Sequence, residues 1–223
     1  MLQQLTCSDL PLRRRLLHAG DLVCRSGDAF GELHVIHSGL FKTVATTADG
    51  REQVVGLHFR GDWLGFDGIA SGRYGCDAVA LDIGEVWSFP YRALIAAAAS
   101  RPGLLAVLHA AMSREMARER ESMLSLCTLS VDARVADFLR RWVEALDLRG
   151  LRTDHITLCL SRAEIGNFLG MTLESVSRAL SKLARARVIA FAQKGRRQVS
   201  IPSPQALGTY IERSLSPGPV TLQ

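Results

Sequence analysis

The chain has 223 residues, 48% of them hydrophobic, with 27 Lys and Arg against 22 Asp and Glu for a formal net charge of +5. That is enough apolar material for more than one core, yet no run approaches the ~18 consecutive apolar residues of a membrane span, and LLAVLHAAM is short and ends in charge. The N-terminus lacks the apolar run and small-residue cleavage site of a signal peptide, so a cytoplasmic protein with no membrane partner is expected.

Between Gly20 and Gly75, 11 of the 19 glycines punctuate short β-type runs such as DLVCRSGD, ELHVIHSG and REQVVGLHF. Alternating runs bounded by turn residues predict an all-β roll or barrel over about residues 18–90, with Ala48-Asp49-Gly50 as a hairpin turn. The five cysteines (Cys7, Cys24, Cys76, Cys127 and Cys159) are scattered, a pattern of small buried hydrophobes rather than of a metal cluster. His34 and His37 stand three apart on an expected strand and so point to opposite faces, which gives a metal site little support.

A long helix is predicted from Pro102 to roughly Leu129, with few breakers after Gly103. Leu105, Leu108, Met112, Met116, Glu119, Met123 and Leu126 step by three or four along it, close to a coiled-coil seam, and the charged run Arg114 to Glu121 suits a solvated rod. The favoured role is dimerisation, although part of any such stripe must pack on its own domain. Glu119 interrupts the seam, where a carboxylate facing its symmetry mate would keep the dimer marginal.

Residues 161–185, SRAEIGNFLGMTLESVSRALSKLAR, read as two short helices joined by a tight turn. Ser161 and Glu164 have the spacing of a capping box. Gly166 keeps the helices close, Gly170 supplies a positive φ at the first C-terminus, and Thr172 caps the second helix. The second helix bears a polar stripe of Glu174, Ser177, Arg178 and Ser181, with Leu173, Val176, Leu180 and Leu183 opposite, so one face packs and the other reads DNA bases. Residues 188–201, VIAFAQKGRRQVSI, predict a β-hairpin whose tip carries Lys194, Arg196 and Arg197, which makes the unit a winged helix. The last ten residues, SLSPGPVTLQ, predict a frayed tail.

Charge follows the same division. Residues 1–152 hold 18 basic and 18 acidic groups, whereas residues 153–223 hold 9 and 4, so the whole excess surrounds the reading helix. A localised positive field is what a phosphate backbone selects. Glu174, Ser177 and Arg178 are therefore the candidate base readers, and Arg162, Thr172, Ser181, Lys182, Lys194, Arg196 and Arg197 the candidate phosphate contacts. Three regions are expected: a sensor-like roll over 1–98, a dimerisation helix over 99–130 and a winged-helix DNA-binding region over 131–223. The fold class is α+β. No Ser-His-Asp constellation, phosphate loop, dinucleotide fingerprint or H-E-x-x-H is present, so no enzyme is expected. The competing reading is a signal-binding or adaptor protein whose winged helix serves protein contacts.

HAGDLVCRSGD, HSGLFKT, GDWLGFDGIASG and above all IGNFLGMTLESVSRAL resemble the CRP/FNR family of bacterial transcription regulators, over about residues 17–210. The E-x-x-S-R arrangement is similar to the fumarate–nitrate and FixK side of that family. The resemblance implies a jelly roll like that of cyclic-nucleotide-binding domains and a homodimer on an inverted repeat with TTGAT-like half-sites, read by Glu174, Ser177 and Arg178. It further implies activation of redox- or oxygen-linked genes, with RNA polymerase touched through the turn Ala48–Glu52, and it offers Cys159 as a redox switch. It assigns no cofactor. The Gly-Glu and Arg-Ser or Arg-Thr pattern that binds a cyclic phosphate is missing, Arg73 standing without it as a surface or structural residue. Trp87 stands where the family's roll cysteine would complete an iron–sulfur site. Haem, needing only one or two of the six histidines, is left open without support.

Overall fold

The computed structural model describes residues 10–191 and 197–215. The chain divides into two compact units, residues 1–119 and 120–223, with the boundary inside one long helix.

The first unit is built from two four-stranded antiparallel sheets. β1 (Arg13–Leu17), β3 (Glu32–Ser38), β6 (Trp63–Leu64) and β8 (Gly84–Pro90) form one in the order β1-β8-β3-β6. The other has the order β2-β7-β4-β5, from β2 (Leu22–Cys24), β4 (Phe41–Thr46), β5 (Glu52–His58) and β7 (Asp77–Ala80). Apart from the β4–β5 hairpin, successive strands switch between sheets, which makes the unit a roll. Leu17, Ile36, Phe41, Leu64, Ala78, Ala80 and Val86 form one core cluster. The expected hairpin joins β4 and β5: Gly50 has φ +80°, and Thr47 N–H donates to the Arg51 carbonyl at 2.9 Å.

A short α1 (Gly68–Ser71) interrupts the strands, and α2 (Tyr91–Ser100) and α3 (Pro102–Thr128) follow them. Leu33, Val35, Trp63, Trp87 and Phe89 of the roll pack with Leu94 and Ala98 of α2 and with Leu104, Leu108 and Ala111 of α3. Leu108, expected in a dimer seam, is only 4% exposed because it belongs to this core. The charged run on α3 is also not wholly solvated. Arg118 pairs with the buried Asp62 at 2.7 Å and with Glu115 at 2.5 Å, and Glu115 lies 4.0 Å from the buried His58.

In the second unit α4 (Val131–Asp147), α5 (Arg162–Leu169), α6 (Leu173–Arg185) and α7 (Pro204–Leu215) surround a three-stranded antiparallel sheet. Its order is β10 (Ala190–Phe191), β11 (Gln198–Ser200), β9 (His155–Thr157). Val135, Ala136 and Leu139 of α4, Ile165 of α5, and Val176, Ala179, Leu180 and Leu183 of α6 are all buried, as are Ile156, Val199 and Leu207. The hairpin β10–β11 is the expected wing, whose tip at 192–196 lies outside the described residues. The sequence expectation names none of α4, β9 and α7. Of the expected tail, Ser214 and Leu215 end α7 and residues 216–223 lie outside the described residues.

Candidate nucleic-acid interface

The turn between α5 and α6 is fixed by local chemistry. Glu164 N–H donates to Ser161 Oγ at 3.2 Å and Ser161 N–H donates to Glu164 Oε2 at 2.8 Å, a complete capping box. Gly170 ends α5 with φ +61° and ψ +45°, the left-handed conformation that glycine adopts without strain. A Cβ on Gly166 would come within 2.6 Å of the Met171 carbonyl oxygen, so only glycine lets the second helix start this close to the first. Thr172 Oγ1 then accepts from Ser175 N–H at 3.2 Å and starts α6. Phe138 of α4 packs edge-on against Phe168, centroids 6.0 Å apart, and Arg134 of α4 donates to the Leu169 carbonyl at 2.9 Å. The helix pair is thus braced from behind.

On α6, Glu174 and Arg178 are exposed and Ser177 half-buried, while Val176, Ala179 and Leu183 are completely buried. The three expected base readers therefore share one accessible face. Glu174's carboxyl is held below the usual carboxylate range, first by its own backbone N–H, then by the Thr172 hydroxyl and the nearby Arg178 charge. It is thus a pure acceptor at neutral pH. Arg178 reaches the Ser175 hydroxyl at 3.5 Å and keeps most of its donors turned to solvent. Leu173 departs from expectation: it is 45% exposed beside Glu174 instead of lining the core. It occupies the first position of the helix, before the buried face closes over it.

The phosphate contacts divide. Arg197 is exposed at the base of the wing, and its carbonyl accepts from Leu158 N–H at 2.9 Å. Lys194 and Arg196 lie outside the described residues. Thr172 is exposed but spends its oxygen on the cap. Three others already have partners within the chain. The Ser181 hydroxyl donates to the Ser177 carbonyl at 2.8 Å, the usual alternative for a mid-helix serine. The half-buried Arg162 guanidinium lies over the Phe191 ring, 5.9 Å from its centroid. The Lys182 ammonium forms an ion pair with the Asp132 carboxylate of α4. That partner is fifty residues away in sequence, beyond the reach of any local pattern.

The roll differs where a cyclic phosphate would need cationic donors. The Arg73 guanidinium donates to the Gly27 carbonyl at 2.7 Å, a structural role. Asp67 accepts from Gly75 N–H at 2.7 Å, and Asp77 from Ser26 N–H at 2.6 Å. Burial, then Asp67 and Asp77, push the Cys24 thiol up to about 12 and the Cys76 thiol to about 11. An incoming phosphate would meet the same carboxylates, so these residues do not fit a cyclic nucleotide. Trp87 stacks on His37, centroids 4.4 Å apart, with its indole N–H donated to Glu85. Among the described residues no group of three or more His, Cys, Asp or Glu is arranged to hold a metal ion; Cys7 lies outside them.

A braced helix-turn-helix with an outward polar stripe, joined to a small wing sheet and preceded by a β-roll, defines a regulator that binds DNA through a winged helix. Residues 133–210 match the family described as a Crp-like helix-turn-helix domain, and residues 14–101 the family described as a cyclic nucleotide-binding domain. The chain is 33% identical over 177 residues to the transcriptional activator protein Anr of Pseudomonas aeruginosa, covering 79% of this chain and 72% of that protein. It is 30% identical over 178 residues to the fumarate and nitrate reduction regulatory protein of Escherichia coli, covering 80% and 71%. The structure of FixK2 from Bradyrhizobium japonicum matches with a TM-score of 0.77 and 27% identity, over 90% of this chain and 97% of that one. The protein belongs to the CRP/FNR family of DNA-binding transcription regulators, whose members are not enzymes.

Proposed function

We propose that the protein binds DNA as a homodimer, each subunit laying α6 into the major groove of one half of a TTGAT-like inverted repeat. The carrying observation is the accessible row of Glu174, Ser177 and Arg178 on a helix whose opposite face is buried. Arg bonds the O6 and N7 acceptors of guanine and an ionised Glu accepts from the cytosine amino group, which suits a half-site with one G·C pair among A·T pairs. Leu173, exposed next to Glu174, adds an apolar group suited to a thymine methyl. Arg178→Ala is expected to cost ~1–3 kcal/mol at the cognate site and little on unrelated DNA. Titrating both duplexes with wild type and variant tests the assignment.

The dimer is supported by α3, on which Leu105, Met112, Met116, Met123 and Leu126 are between 37% and 60% exposed and Glu119 is also exposed. Two copies joined along that stripe would set their reading helices on successive major grooves about 34 Å apart. Leu108 takes no part. Activation is inferred from relatives described as a transcriptional activator and a fumarate and nitrate reduction regulator, which also favours redox- or oxygen-linked genes. The exposed turn Ala48–Glu52 is the candidate contact for RNA polymerase. No helix of the described residues is long and apolar enough to cross a membrane. The proposed work on DNA favours a cytoplasmic location. The adaptor reading loses ground because a winged helix reused for protein contacts has no need of an outward Glu174, Ser177, Arg178 row.

A further inference from the structure

Lys182 lies one helical turn beyond Arg178 and two beyond Glu174 on α6, so it continues the reading face toward the C-terminus. Its side chain is 58% exposed, yet its ammonium is paired with the Asp132 carboxylate, itself 27% exposed, in the first turn of α4. That turn favours a negative group, since Ser130 caps the helix and the backbone N–H groups point out of its end. The Lys182 pKa is raised, first by the hydrogen bond to Asp132 and then by its charge, with Tyr210 adding to the rise and Arg185 opposing it. A lysine at this place would be the natural partner of a DNA phosphate, but here a carboxylate of the same chain already holds it.

We propose that Asp132 is an affinity-setting residue, an internal stand-in for a backbone phosphate that Lys182 must leave when duplex DNA binds. The proposal rests on the assignment of α6 as the reading helix. Binding exchanges one carboxylate for one phosphate at each subunit, so Lys182 adds little net attraction. Sequence specificity remains with Glu174, Ser177 and Arg178, because the exchange involves no base edge. The device keeps non-specific affinity low without removing a positive charge from the surface.

The test uses the full-length protein, an inverted-repeat duplex and a scrambled duplex of the same length, titrated over a series of salt concentrations. Asp132→Asn should bind both duplexes about three- to tenfold more tightly near ~0.1 M salt, with the slope of log K against log salt steeper by about one per subunit. Asp132→Ser, which also suits a first helical turn, should do the same and guards against a variant that fails to fold. In a Lys182→Gln background the gain should shrink to less than about twofold, because the lysine that was released is gone. Unchanged or weaker binding by both Asp132 variants with intact thermal melts, or an equal gain with and without Lys182, would overturn the proposal. Failure of the reading-helix assignment looks different: wild type would then not distinguish repeat from scramble and Arg178→Ala would change nothing, while the Asp132 comparison is still read on total binding. A wild type that binds neither duplex would overturn both.

Discussion

Two regions, the roll and the reading helix, treat their polar groups in opposite ways. In the second, Glu174 and Arg178 stand outward on a helix whose inner face is sealed by Val176, Ala179, Leu180 and Leu183. In the roll, His34, His58, Asp62 and Ser88 are all buried and each has a partner within the unit: His34 with Ser88 at 2.8 Å, His58 with Thr43 at 3.0 Å, Asp62 with Arg118 at 2.7 Å. The first arrangement can bind a partner without rearranging, because its donors and acceptors face water. The second fixes the unit's own shape.

The comparison breaks most visibly at the support beneath the stripe. Leu183, fully buried, should cost about 2–5 kcal/mol when cut to alanine, read by urea unfolding, and DNA binding should fall only as the folded fraction falls. A loss of specific binding with unchanged stability would mean that the inner face itself reads DNA. The roll's contribution is sharpened by pH. Burial, then the charges of Arg15 and Arg13, bring His34 down to about 4 from an ordinary 6.5, so the folded state refuses a proton that the unfolded chain accepts. Its stabilising effect is therefore complete above about pH 6.5 and is lost as pH falls toward 4. Between pH 7 and pH 5 this amounts to about 2 kcal/mol. His34→Gln should flatten that part of the stability profile, with the buried His58, whose pKa is also lowered by burial, supplying the remaining slope.

Smaller effects are expected at the edges of the two regions. Thr172→Ala removes the cap of α6 and should cost about 1 kcal/mol of stability, measured by thermal melting. Glu119→Ala should tighten the dimer several-fold by deleting a like-charge pair from the proposed seam, read by sedimentation equilibrium. An unchanged or weaker dimer would remove Glu119 from that interface.

What could be read from sequence was what short-range chemistry writes. Ser161 with Glu164, Gly166, Gly170 and Thr172 all fall within residues 161–172, and each is found in its expected role. The hairpin at Ala48–Gly50 is of the same kind. Long-range partners left no such mark. The period of α3 made Leu108 and Met112 look alike, but whether a stripe residue meets its own roll or remains exposed depends on where the sheets lie. The ion pair of Lys182 had no local sign either, because Asp132, which holds it, belongs to another helix. β9 contributes only three residues, and its pairing with β11 creates the sheet, so no run of its own announced it.

The central claim is that Arg178 and its neighbours read bases. Its most direct test is fluorescence anisotropy of wild type and Arg178→Ala on a TTGAT inverted repeat and on a scrambled duplex, at two salt concentrations. The account predicts a loss of ~1–3 kcal/mol on the repeat alone, with nearly equal affinities on the scrambled duplex. Equal losses on both duplexes, or none on either, would contradict it.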